Sequence, residues 1–166
     1  KKYYIWSDDA MTGIYFDKYL SKKDIEFIAN YDNYGKVCCF KGFDNISVKY
    51  TTNSNLDIDT QLMLFEKYIN MGIDVYGYVT FVTPTLDNLR ERLRSFLVKL
   101  MKINNYVPLR IVPLLISVYP SMKNTIKDNV ENNINNQFYV IDEWMNLLHN
   151  TYSVNELNRN ITESLY

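Results

Sequence analysis

The stretch Ile73-Asp74-Val75-Tyr76-Gly77-Tyr78-Val79-Thr80-Phe81-Val82-Thr83-Pro84-Thr85 decides the fold. It is rich in β-branched and aromatic residues, which suits a strand on a pleated interior surface. Pro84 stops the strand, because it has no N–H to give a ladder. Thr85 is a residue type that caps the N-terminus of a helix. One amphipathic segment precedes the stretch and another follows it. That order predicts an α/β chain in which parallel strands alternate with helices, either part of a (β/α) barrel or an open parallel sheet.

Downstream, the spacing predicts a helix over 86–103, with Leu89, Leu93, Phe96, Leu97, Leu100 and Met101 on its inner face. Arg90, Arg92, Arg94, Lys99 and Lys102 fill its other positions and read as a solvated outer face. A fourth strand is expected over 109–119. Pro113 inside it demands an edge position or a bulge. Arg110 lies early in that strand and reads as half of a structural ion pair. A last helix is expected over 137–150, with Phe138, Ile141, Met145 and Leu148 inward and Trp144 in the core. His149 reads as a surface or partly packed residue. Residues 129–136 read as a kink or loop, and 151–166 as a tail behind one domain over 1–150.

Upstream, a helix over 60–71 buries Leu62, Phe65 and Ile69 and stops at Gly72. Val37-Cys38-Cys39-Phe40 is continuous and apolar, so it reads as a second strand buried on both faces. Between them, residues 45–59 are polar. Ile46, Val48 and Tyr50 alternate there as a short edge strand or ordered loop would. Ser21 with Asp24 forms a near capping box for a helix carrying Ile25, Ile28 and Ala29. Tyr3 to Trp6 is the expected first strand, with Ser7-Asp8-Asp9 at its end.

With 166 residues, 47% of them hydrophobic, the chain can bury a real core. Its net charge of −1 gives no general attraction to nucleic acid or an anionic membrane. No apolar run is long enough to span a bilayer, and no secretory signal is visible. The two cysteines, Cys38 and Cys39, are adjacent, so on a strand they point to opposite faces. They read as small core residues in a reducing, cytoplasmic setting. The chain opens on Lys1, which raises the expectation of a piece of something longer.

Ligands of parallel sheets bind at the carboxyl ends of the strands. Four sets stand there: Ser7-Asp8-Asp9, Lys41-Gly42-Phe43-Asp44, Thr80 to Thr83, and Ser117 to Tyr119. Carboxylates at a strand end can hold an ammonium group or a hard metal ion, although a helix cap or a solvated turn uses the same residues. Lys41 can hold a carboxylate or phosphate, or stand as an exposed loop lysine. No Walker motif, nucleophile elbow, zinc spacing or kinase signature is present.

Tyr4-Ile5-Trp6-Ser7-Asp8-Asp9 resembles the second-strand segment of radical S-adenosylmethionine enzymes, and Val37 to Asp44 resembles the strand and site-facing turn that follow. Met71 to Val79 is similar to the helix, Gly, strand passage of the barrel's later half, with Pro108 to Ile116 as the strand after it. The resemblance covers roughly residues 1 to 120. It implies a partial (β/α) barrel in which Ser7, Asp8 and Asp9 meet the amino group of S-adenosylmethionine, while Lys41 and Thr80 line the same mouth. The family's CxxxCxxC loop is absent, so a 4Fe–4S cluster is expected only if an upstream segment exists. The chain itself should generate no radical. A barrel piece would also leave a sheet edge open, through which copies could self-associate. Two other readings stand beside this one. One is a magnesium-dependent hydrolase using Asp8, Asp9 and Asp44. The other is a non-catalytic α/β interaction module.

Overall fold

A computed structural model describes residues 4–8, 16, 18–117 and 130–158. Among these residues four strands form one sheet: β1 (Tyr4–Asp8), β2 (Tyr34–Phe40), β3 (Val75–Thr80) and β4 (Ile111–Leu114). Their spatial order is their chain order, and each of the three pairings is parallel. The expected α/β fold with parallel strands is therefore what the chain adopts. The helices are α1 (Lys22–Ala29), α2 (Asn45–Thr52), α3 (Ile58–Asn70), α4 (Leu89–Ile103), α5 (Val130–Thr151) and α6 (Val154–Leu157).

Consecutive parallel strands joined by right-handed crossovers leave their connecting helices on one face. The aromatic core places α3 and α4 against the same face of β2. Phe40 of β2 meets Phe65 of α3 at 5.2 Å and Phe96 of α4 at 6.3 Å between ring centroids. From there the contacts run on through Trp144 of α5, 5.6 Å from Phe96 and 5.8 Å from Phe81, and then to Phe43, 5.7 Å from Phe81. Tilted and edge-on ring pairs of this kind each contribute about 0.5–1.5 kcal/mol beyond area burial. Gly77 is needed in the middle of this face, since a Cβ there would lie 2.6 Å from Ile111 Cδ1. The opposite face carries Val37, Cys39, Tyr76, Tyr78, Thr80, Val112 and Leu114, matched in register across β2, β3 and β4.

Local chemistry sets several boundaries. Ser21 and Asp24 form the expected capping box of α1, with Ser21 N–H donating to Asp24 at 2.8 Å. The stop after α3 is a Schellman turn: Gly72 has φ +78°, its N–H donates to Ile69 C=O, and Ile73 N–H donates to Tyr68 C=O. Arg110 is fully buried and paired with Asp74, as expected of a structural ion pair, and its guanidinium lies 4.9 Å from the centre of the Tyr76 ring. Pro113 sits on β4, which pairs with β3 alone among the described strands. Cys38 and Cys39 are both buried, and His149 is exposed. No helix among the described residues is long and apolar enough to cross a membrane.

Five expectations are corrected. Residues 45–52 form helix α2, because Asp44 caps it and Ser47 returns the bond. Thr85 does not cap α4. Its hydroxyl accepts from Asp87 N–H, and the helix starts at Leu89 after Asn88, which is held at φ 50°. The fourth strand is only four residues long and follows a 3-10 turn over Val107–Arg110. Among the described residues the last helix runs over Val130–Thr151, so residues 130–136 are helical and not a kink or loop. Its inner face is also different. Val140, Trp144 and Leu148 are buried with Gln137 and Glu143, while Phe138 is 56% and Met145 41% exposed. Two polar residues can be inward there because both find partners. Gln137 bonds the Ile116 main chain, and Glu143 pairs with Arg90, which holds its carboxyl below the ordinary range.

Candidate functional site

A cavity of about 450 Å³ lies beside Arg90 and Glu143, but the one that opens at the carboxyl ends of the strands is larger, at about 540 Å³. The strand ends supply Lys41, Thr80, Val82, Leu114 and Ile116 to this mouth, and the helices supply Tyr50, Thr51 and Ile134. Phe40 pairs with Val79, so the residues that follow each of them, Lys41 and Thr80, stand at neighbouring strand ends. Two of the residues nominated from sequence thus share one cavity.

Lys41 is held by its main chain. Its N–H donates to Gln61 Oε1 at 2.8 Å, and its carbonyl accepts from the Thr51 hydroxyl. Gly42 follows because α2 passes so close: a Cβ there would lie 2.4 Å from Ser47 Oγ and 2.6 Å from Val48 N. The side chain of Lys41 is half-buried, and no carboxylate pairs with it among the described residues. Thr80 is buried, and its hydroxyl has no hydrogen-bond partner among the described residues. The remaining walls are mostly aliphatic. The mouth therefore offers one cation and a few hydroxyls in an apolar setting, the usual make-up of a small-molecule site.

The turn carrying Lys41 is tied to the loop after β3 by Arg92. Its Nε donates to Asp44 Oδ2 at 2.5 Å, one NH2 group donates to Thr83 Oγ1 at 2.9 Å, and the other to Thr85 C=O at 2.9 Å. Its guanidinium also covers the Phe43 ring at 5.1 Å. This corrects the reading of Arg92 as part of a solvated face. Arg90 and Lys99 of the same helix pair with Glu143 and Asp59.

The other nominated residues are placed as follows. Ser7 and Asp8 are the last two residues of β1, not a turn beyond it, and they stand in register with Val37 and Cys38. Asp8 is thus level with a position three residues short of Lys41, roughly 10 Å along the strand at ~3.3 Å per residue. Asp9 lies outside the described residues, as do Val118 and Tyr119 of the fourth set. Thr83 is buried in the Arg92 network. Asp44 accepts from Ser47 N–H with one oxygen and from Arg92 with the other. No group of three or more His, Cys, Asp and Glu among the described residues could hold a metal ion.

Sequence reading missed Tyr50, Ile134 and Asn133. The first lies where the alternation reads as a short edge strand or ordered loop, and the other two where the sequence reads as a kink or loop. Asp44 with Ser47 three residues on was the available signal for the start of α2. No protein family, curated protein or solved structure matches the chain.

Proposed function

We propose that the chain supplies later strands of a radical S-adenosylmethionine type of barrel and binds S-adenosylmethionine at the mouth described above. The observation that carries this reading is that Lys41 and Thr80 line one cavity at the carboxyl end of a parallel sheet in consecutive order. A cavity of about 540 Å³ suits a nucleoside-sized ligand. Lys41 would bind the carboxylate of the cofactor's amino-acid end, and Thr80 would donate to a neighbouring oxygen. Val82, Leu114 and Ile116 would pack against its apolar parts. The resemblance adds Ser7, Asp8 and Asp9 as partners of the ammonium group. When bound, the cofactor supplies a sulfonium-activated carbon; the chain's own part is to hold and orient it.

The residues described do not fit a 4Fe–4S cluster. Cys38 lies on the helix-packed face of β2 with Phe40, and Cys39 takes the other face, so one iron cannot be bridged by both. No step is assigned to a cluster. The magnesium reading is less well supported, since both oxygens of Asp44 are already engaged.

Calorimetric titration with S-adenosylmethionine tests the proposal. Wild-type protein should bind it, and Lys41→Met should bind about tenfold or more weakly, as expected for losing a charge-assisted hydrogen bond. Equal affinity in the two proteins, or no heat from either, would end this reading.

A further inference from the structure

The Asn-rich segment before Gln137 belongs to α5 and crosses the mouth. Four hydrogen bonds fix it there. Gln137, 1% exposed, donates to Ile116 C=O and accepts from Ile116 N–H, both at 2.8 Å, much as a neighbouring strand would. Asn136 Nδ2 donates to Thr83 C=O at 3.2 Å. One turn earlier, Asn133 Nδ2 donates to the Tyr50 hydroxyl at 3.1 Å. Tyr50 and Ile134 both line the cavity.

The direction of the last bond matters. An amide NH2 group only donates, so the phenol oxygen is the acceptor and its own hydrogen is left for another partner. No acceptor for that hydrogen exists among the described residues. Lys41, on the same cavity, likewise has no carboxylate partner among them. Two half-buried donors with no acceptor among the described residues, on one mostly aliphatic cavity, favour a ligand that brings an anionic oxygen group.

We infer that Tyr50 is a specificity-determining residue of this mouth: its hydroxyl donates to the carboxylate that Lys41 binds, and Asn133 is the positioning residue that sets its direction. The inference rests on the cofactor reading above and names which part of the cofactor is recognised. Asn133 acts only through Tyr50. Replacing its amide by a carboxylate of the same shape would turn the phenol hydrogen back toward α5 and away from the ligand.

The test is calorimetry with two probes, S-adenosylmethionine and methylthioadenosine, which shares the nucleoside but has no carboxylate. Tyr50→Phe and Asn133→Asp should each weaken S-adenosylmethionine binding about tenfold or more, in line with a hydrogen bond to a charged group. Methylthioadenosine binding should stay within about twofold of wild type, because no charged hydrogen bond is lost for it. Asn132→Asp adds the same charge at an exposed neighbour, so it controls for repulsion and should have little effect. Unchanged S-adenosylmethionine binding by Tyr50→Phe overturns the inference and leaves the cofactor reading standing. Equal losses for both probes overturn it too, because the effect is then not on a carboxylate. If wild-type protein binds neither probe, the cofactor reading fails and takes the inference with it.

Discussion

Trp144→Ala should lower the free energy of unfolding by about 3–5 kcal/mol, the range for deleting a large aromatic from a packed core. Trp144 is completely buried and touches Phe81, which follows the end of β3, and Phe96 of α4. The cavity left behind would be walled by rings that cannot collapse without moving α4 or β3. Trp144→Phe should cost much less. It keeps a ring in the gap and removes an indole N–H that has no hydrogen-bond partner among the described residues. Burying such a group is itself unfavourable by about 1–3 kcal/mol. Urea unfolding followed by circular dichroism measures both. Losses of similar size in the two variants would show that ring packing is not what anchors α5. Because α5 carries Asn133 and Ile134 to the mouth, Trp144→Ala should also weaken ligand binding, although Trp144 does not line the cavity.

Arg92→Met should cost about 2–3 kcal/mol. Breaking a fully buried ion pair costs more, about 3–5 kcal/mol, but here the side chains keep 12% and 20% exposure, so water recovers part of the loss. What remains is an Asp44 carboxylate left with its cap bond alone, Thr83 Oγ1 without its donor, and Thr85 C=O with only the Thr83 hydroxyl. Arg92→Lys should recover less than half of the stability, because an ammonium cannot reach three acceptors in the directions that a guanidinium does. The same variants should loosen the turn that carries Lys41. If Arg92→Met unfolds at the wild-type urea midpoint, the network is not a structural tie.

The strands were legible because their burial is written into short runs. Val37 to Phe40 is an unbroken buried run, and in Val75 to Val79 the buried Val75, Gly77 and Val79 alternate with half-buried Tyr76 and Tyr78. Gly72 was legible because a left-handed turn needs it, and Ser21 because its cap is local. What was not legible depends on distant residues. Ile46, Val48 and Tyr50 alternate like a strand, yet Asp44 caps a helix there, and that helix is held in place by Arg92, 48 residues further on. On α5 Val140, Trp144 and Leu148 face in, but Phe138 and Met145 are exposed while Gln137 and Glu143 are buried, because Gln137 finds the Ile116 main chain and Glu143 finds Arg90. Nothing within a single helix of sequence shows that a glutamine will be satisfied across space. For the site, Lys41 and Thr80 followed from a rule about strand ends, whereas Tyr50 and Asn133 required the helix positions to be known first.

The account depends most on ligand entering at the carboxyl ends of the strands. Nuclear magnetic resonance of isotope-labelled protein during addition of S-adenosylmethionine addresses this residue by residue. The amide signals of Lys41, Thr80, Val82 and Ile116 should move together and saturate with one affinity, while those of Asp74 and Arg110, at the other end of the sheet, stay in place. Signals that do not move, or that move most around Asp74 and Arg110, would contradict it.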